Sequence, residues 1–314
     1  MWFKNLRLYR LTAPFQLSVE DLHERLAEQP FRPCGKMEFA TYGWVPPLGR
    51  HGATLCHAAN GCLLISARRE EKIVPTSLIN ELLADKVAEI EEQQMRRVPR
   101  REREALRDDI VDRLLPQALI RSRVTYAYLS PRDGWLVIDS PSLNKAEALT
   151  QLLRRSLGSL PLVLAVVKES PASVLTRWLK ETAPSDILLG EECELHDAAE
   201  EGGVVRCRRQ DLAADEVQAH LEAGKQAVRL AITWRERIAC VIGDDLSVKR
   251  LRFLDVVREQ SDDRESTDEI ARFDADVALM TLELGDFLPR LMEFFGGEDE
   301  AAYRRVLRRP SEAP

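Results

Sequence analysis

Residues 75–123 read PTSLINELLADKVAEIEEQQMRRVPRREREALRDDIVDRLLPQALIRSR, and this stretch decides how the rest of the chain is divided. After Pro75 a hydroxyl at Thr76 or Ser77 is a ready N-cap. Ile79, Leu82, Leu83, Val87 and Ile90 follow at helical spacing and predict a first helix with one apolar face. A second helix is predicted after Pro99, carrying Leu106, Ile110 and Leu114 with Val111 and Leu115 beside them, until Pro116 stops it. The pair reads as an arm. Near its bend stand Arg96, Arg97, Arg100, Arg101 and Arg103, five arginines in eight positions answered there only by Glu102, a stronger positive field than solubility requires. The arm therefore reads as a phosphate-seeking projection. The plainer alternative is a solvated face laced with pairs such as Arg100 with Glu104. Past Pro116, the apolar run Gln117-Ala118-Leu119-Ile120 lies beside Arg121 and Arg123. Such a tip suits a contact surface, the alternative being burial in the arm's own small core.

A chain of 314 residues with 45% hydrophobic content is long enough for two or three packed units. It has no run of eighteen apolar residues, and its start passes directly into strand-like alternation, so it reads as cytosolic with no membrane partner. Cys34, Cys56, Cys62, Cys193, Cys207 and Cys240 show no C-x-x-C spacing, which argues for reduced packing residues over disulfides or structural zinc. The net charge of −7 is unevenly placed: Leu254 to Glu300 carries fifteen acids against four arginines, or −11, leaving the remainder near +4 (−7 + 11). A chain can be acidic overall and basic where it works.

Around the arm the pattern is α+β. Trp2 to Leu11 alternates like a strand, and Val19 to Leu26 reads as a helix capped by Ser18. Residues 30–50, rich in Pro and Gly, read as an ordered loop holding Trp44 in the core. Leu55 to Ala59 and Cys62 to Ala67, joined by Asn60-Gly61, form the clearest hairpin signal. Val124 to Leu129 and Trp135 to Ile138 form a second, so the arm is inserted between two hairpins. A helix capped at Ser142 and stopped by Gly158, a strand from Leu160 to Val167 and a helix opening at Ser170-Pro171 follow. In the second half, strands are predicted at Val204 to Cys207, Val228 to Trp234, Ile238 to Ile242 and Val248 to Phe253, with a helix at Ala214 to Glu222 and an acidic amphipathic helix from Asp274 to Phe295. The tail after Gly297 is predicted to fray. Arg206 and Arg208 share one face of their strand, as do Arg250 and Arg252 of theirs; alternation alone leaves open whether the two pairs share one side of one sheet. A solvated outer face is the competing reading.

Motifs for catalysis are weak. Ala223-Gly224-Lys225 lacks the upstream glycine and the Ser or Thr of a phosphate loop. His51 and His57 near Cys56 and Cys62 have the spacing of packed hairpin residues, and Asp244-Asp245 sits where a turn favours aspartate. Neither a nucleophile elbow nor a dinucleotide loop occurs.

The segments Trp2-Phe3-Lys4-Asn5-Leu6, Gly43-Trp44-Val45-Pro46-Pro47-Leu48-Gly49, His57-Ala58-Ala59-Asn60-Gly61, Glu70-Glu71-Lys72-Ile73, Ser156-Leu157-Gly158-Ser159-Leu160-Pro161, Glu222-Ala223-Gly224-Lys225 and Arg272-Phe273-Asp274-Ala275-Asp276 together resemble the bacterial recombination-associated RdgC family, in order and over essentially the whole chain. The resemblance implies a non-enzymatic, cofactor-free protein in the cytoplasm, associated with the nucleoid. It implies a ring-shaped homodimer that holds double-stranded DNA, with single strands as a further ligand, in a basic hole without sequence preference and restrains RecA, directly or by competing for duplex. It further implies DNA contact at the stretch matching Arg208-Arg209-Gln210 and at Lys225, and a dimer contact at Leu119 and Ile120, where some relatives carry an aromatic residue in place of Leu119. The expected architecture is antiparallel sheets backed by helices with an inserted helical arm. Residues 1–75 with 124–168 form a central domain, 76–123 the arm and 169–314 a base domain. The expected DNA-binding set is Arg96, Arg97, Arg100, Arg101, Arg121, Arg206, Arg208, Arg209, Gln210, Lys225 and Arg250, with no catalytic residue and no metal. A DNA-processing nuclease and a scaffold binding an acidic protein through the arm are the alternatives.

Overall fold

The computed structural model describes residues 1–197, 202–257 and 269–308. The order of elements is β1 (Arg7–Leu11), α1 (Val19–Ala27), β2 (Ala40–Val45), β3 (Cys56–Ala59), β4 (Cys62–Ile73), α2 (Thr76–Gln94), α3 (Arg100–Leu114), β5 (Leu119–Ser130), β6 (Trp135–Ile138), α4 (Leu143–Leu157), β7 (Leu162–Leu164), α5 (Pro171–Lys180), β8 (Ile187–His196), β9 (Val204–Arg208), α6 (Asp215–Glu222), β10 (Gln226–Trp234), β11 (Ile238–Gly243), β12 (Val248–Phe253), α7 (Glu269–Phe294) and α8 (Glu300–Arg308). The fold is α+β, with two antiparallel sheets. The first runs β2-β4-β5-β6-β1-β7 with β3 also paired to β4, and the second runs β12-β11-β10-β8-β9.

Local chemistry accounts for most of these elements. The Asn60-Gly61 turn takes the two positive φ angles, 48° and 71°, that a tight hairpin needs. Ser18 caps α1 by accepting the Asp21 N–H at 3.0 Å, and the Asp21 carboxylate returns the bond. The predicted hydroxyl cap on α2 does not form: the helix begins at Thr76 behind an extended Pro75, with no side chain closing its first turn. Three further expectations give way. Residues 30–50 contain β2, because Trp44 pairs opposite Ala67 and donates its indole N–H to Ser156 at 2.9 Å. The strand predicted from Trp2 begins only at Arg7. The residues before it instead border the second sheet, with Leu6 and Val248 exchanging backbone bonds of 2.7 and 3.1 Å. The tail beyond Gly297 is helical from Glu300 through Arg308, anchored by Tyr303, whose hydroxyl meets the backbone of Val166, and the rest of the predicted frayed tail, residues 309–314, lies outside the described residues.

The core has two compartments. On one face of the first sheet, Leu63, Ile65, Ala127 and Leu129 meet Leu22 and Leu26 of α1 and Leu149, Leu152 and Leu153 of α4. On the other, Leu8, Leu64, Tyr128 and Val137 join one continuous cluster with α7 and with Leu230, Ile232, Trp234, Ile238 and Leu251 of the second sheet. Helix α7 lies between the sheets. It touches the first through Asn60 and His57, and the second through Trp234 against Phe287 (centroids 5.3 Å apart) and Arg237 paired with the buried Glu283. The arm is thinner: α2 and α3 bury little beyond Ile79, Val87, Val98, Ile110 and Leu115.

Phe287→Ala removes a ring fully buried in this middle layer, and the expected loss is about 3–5 kcal/mol. Urea denaturation should show it as a lower midpoint at unchanged slope.

Candidate nucleic-acid interface

Because α7 takes the inner face of the second sheet, the strands of that sheet carry their charges outward, and the ladder register decides which charges meet. Arg206 lies across from Glu194, Glu194 across from Arg229, and Arg208 across from Glu192. Toward the other edge, Ala231 opposes Val241 and Val241 opposes Lys249, while Thr233 opposes Ala239 and Ala239 opposes Arg252. All of these positions share the outer face. The two arginine pairs that alternation could not relate, Arg206 with Arg208 and Arg250 with Arg252, therefore belong to one side of one sheet. A bulge between Ala239 and Val241 interrupts the alternation at Arg250, which adopts a φ of 51° and pairs with Glu192 on β8, with β11 and β10 between them.

Small residues hollow the middle of this face. Gly190, Ala231 and Ala239 help line a cleft of about 790 Å³, bordered on one side by Trp2–Asn5. A Cβ on Gly190 would come within 2.9 Å of the Ala231 methyl, so no larger residue fits there without a shift.

Two carboxylates organise the cations. Glu194 gathers His196 at 2.8 Å, Arg229 at 2.9 Å and Arg206 at 3.3 Å. Burial alone would raise its pKa, but the bonds from His196 and Arg206 and the charge of Arg229 outweigh that and hold it below the usual carboxylate range. The hydrogen bond from Arg250 does the same for Glu192. Burial, reinforced by the neighbouring charge of Arg229, pulls the Lys249 ammonium below its ordinary pKa. Arg208, Arg209 and Arg252 form no ion pair among the described residues. The face keeps free cations after Glu192 and Glu194 are engaged, beside the exposed Glu191, which lines the cleft without an ion pair among the described residues.

The remaining expected site residues lie elsewhere. Arg209, with φ 54°, turns the chain out of β9, and the following Gln210 donates its backbone N–H to Glu191 at 3.3 Å. Lys225 is 14% exposed, its ammonium held by Asp197 at 3.2 Å and the Gly203 carbonyl at 3.1 Å. On the arm, Arg96 is bidentate to Glu102 (2.7 and 2.8 Å) and Arg100 bonds Glu104 at 2.9 Å, whereas Arg97 and Arg101 form no ion pair among the described residues. The field at the bend is thus partly neutralised, as the plainer reading of Arg100 with Glu104 anticipates. Arg121 lies across from Glu71 and pairs with it. Leu119 and Ile120 are 77% and 49% exposed, so this apolar step is not buried in the arm's core.

Sequence reasoning passed over Arg229 and Lys249. Arg229 was legible, since it sits between Val228 and Leu230 in a strand that alternates strictly; Lys249 was hidden by the bulge beside it.

The groups considered for catalysis are engaged in structure. His57 meets Asp274 and His51 meets Glu269, both at 3.2 Å, and burial pushes the Cys56 thiol up to about 12. Asp245 is bonded by Arg7 at 2.7 Å and by Ser247, and burial together with the Asp245 charge raises the pKa of Asp244. Among the described residues no three His, Cys, Asp or Glu side chains are grouped to hold a metal ion, and no helix is long and apolar enough to cross a membrane.

Residues 1–298 match the family described as "RdgC: Putative exonuclease, RdgC". A protein of Aeromonas hydrophila named recombination-associated protein RdgC is 46% identical over 302 residues, which cover 96% of this chain and 100% of that protein. Proteins of the same name from Tolumonas auensis and Pseudomonas aeruginosa are 43% and 46% identical, over 95% of this chain and 99% and 98% of theirs.

The depressed pKa of Glu194 carries a pH signature. Its contribution to stability is present above the unfolded-state value of about 4.3 and is lost as pH falls through the lower folded-state value. Thermal melts taken below about pH 5 should fall more steeply for the parent protein than for Glu194→Gln, whose acid limb is flatter. Parallel curves would show that Glu194 is not responsible.

Proposed function

This chain belongs to the RdgC family of recombination-associated proteins, and from that premise we propose that it is a non-enzymatic, sequence-independent binder of double-stranded DNA. One observation carries the reading: the register that puts Arg206, Arg208, Arg229, Lys249 and Arg252 on one face over a hollow floor. Guanidinium and ammonium groups there neutralise phosphates and release counterions. Affinity then falls with salt and ignores base sequence, because phosphate contacts carry no base information. Single strands present the same phosphates. Two copies closing into a ring would meet at the exposed Leu119-Ile120 step. Duplex held in this way is withheld from RecA filaments, which places the protein on the nucleoid as a brake on strand exchange through its substrate.

The family description favours a second reading, an exonuclease. Both readings are tested with one labelled random-sequence duplex titrated across a salt series, with and without magnesium or manganese. Arg208→Ala with Arg252→Ala should flatten the plot of log affinity against log salt by about 2, while the label stays full length. Metal-dependent shortening would establish the nuclease. An unchanged slope would remove the face from the site, and saturable binding of an acidic protein that duplex cannot displace would favour the scaffold.

Leu119→Asp places a charge on an already exposed position and should leave the fold intact. Light scattering should show the dimer mass falling toward that of one chain; an undiminished dimer would place the contact elsewhere.

A further inference from the structure

The first sheet carries a second cationic hollow. On the α4 side of that sheet, Arg69 of β4 stands directly across from Arg123 of β5, with Arg121 across from Glu71 one step further out. Tyr42 of β2 flanks Arg69, and Lys145 in the first turn of α4 forms the facing wall of a concavity of about 440 Å³.

Its charges are not balanced from within. Glu71 is shared by Arg121 and by Arg69 (3.4 Å), whereas Arg123 and Lys145 form no ion pair among the described residues. Asp139, at the rim, accepts the backbone N–H groups of Lys4 and Asn5 at 3.1 and 2.8 Å, and with Glu71 it leaves two carboxylates against the four cations Arg69, Arg121, Arg123 and Lys145. Like charges placed directly across a ladder repel, and Arg69 opposite Arg123 is such a pair. A bound anion relieves that repulsion. Burial also pushes the Tyr42 phenol up to about 12, against the opposing influence of Arg69 and Arg155, so its hydroxyl is a donor at neutral pH.

The hollow also adjoins the face already described. Lys4 and Asn5, which hold Asp139 on this rim, line the 790 Å³ cleft of the second sheet. A residue lining one concavity is thus hydrogen-bonded to residues lining the other, and Lys4 beside that contact is exposed.

We propose that Arg69, Arg121, Arg123 and Lys145 form a second phosphate-contacting subsite for nucleic acid, joined past Lys4 to the outer face of the second sheet. This inference rests on the reading of that face as a DNA surface. A backbone leaving the cleft meets the subsite next, so contact requires a duplex long enough to reach it.

The test uses the full-length protein and random-sequence duplexes of about one and about three helical turns. Arg123→Ala with Lys145→Ala should lower the salt slope by about 2 on the long duplex and leave the short one unchanged. Both side chains are exposed, and a thermal melt confirms the fold; Arg123→Gln with Lys145→Gln repeats the test at closer to native side-chain length. An unchanged long-duplex slope, beside a loss for Arg208→Ala with Arg252→Ala, overturns the subsite alone. Equal losses on both lengths overturn the claim that it is a separate contact. If neither pair of substitutions alters the slope, the DNA reading of the second sheet fails first.

Discussion

The burial of α7 between the two sheets is the constraint on which the rest depends. A charged side chain left unpaired in that middle layer would cost several kcal/mol. Each strand of the second sheet therefore gives its apolar residues, such as Leu230, Ile232, Trp234 and Leu251, to the helix and sends its cations out. The basic face is the complement of the core. Glu283 is the instructive exception, since it is buried on α7 only because Arg237 reaches in to pair with it.

Crowding cations on one surface raises their mutual repulsion, and Glu192 and Glu194 offset it. They sit across the ladder from arginines on neighbouring strands, and their depressed pKa values reflect how tightly the surrounding positive groups hold them in the charged form. The side chains are thereby ordered before any ligand arrives, while Arg208 and Arg252 stay uncommitted. The same device recurs on a smaller scale where Glu71 serves Arg121 and Arg69.

The arm follows a different logic. Its two helices bury a handful of residues and leave Leu78, Leu82 and Met95 at the surface, so the arm contributes little to the stability of the whole. What it does supply is reach, together with the long β4–β5 ribbon that projects the Leu119-Ile120 step outward.

Local rules made much of this legible. Asn60-Gly61 fixed a hairpin, Pro99 and Pro116 bracketed a helix, and the stripe from Val277 to Leu291 marked a helix with one face to bury. Strand β8 went unread because Ile187, Leu188 and Leu189 run without alternation before Gly190 and a group of acids. Strand β2 was masked by the Pro and Gly residues around it. The charged face was legible only within each strand. Period-two alternation states which residues of one strand share a side, but relating the side of β9 to the side of β12 requires the strand order and the register. Bulges between Ala227 and Arg229, Leu230 and Ile232, and Ala239 and Val241 then shift that parity along the sheet. The sequence by itself thus determined the elements and the abundance of arginine. The tertiary structure decided that the arginines converge, because convergence is a relation between strands that are distant in the chain and is set by which face the core claims.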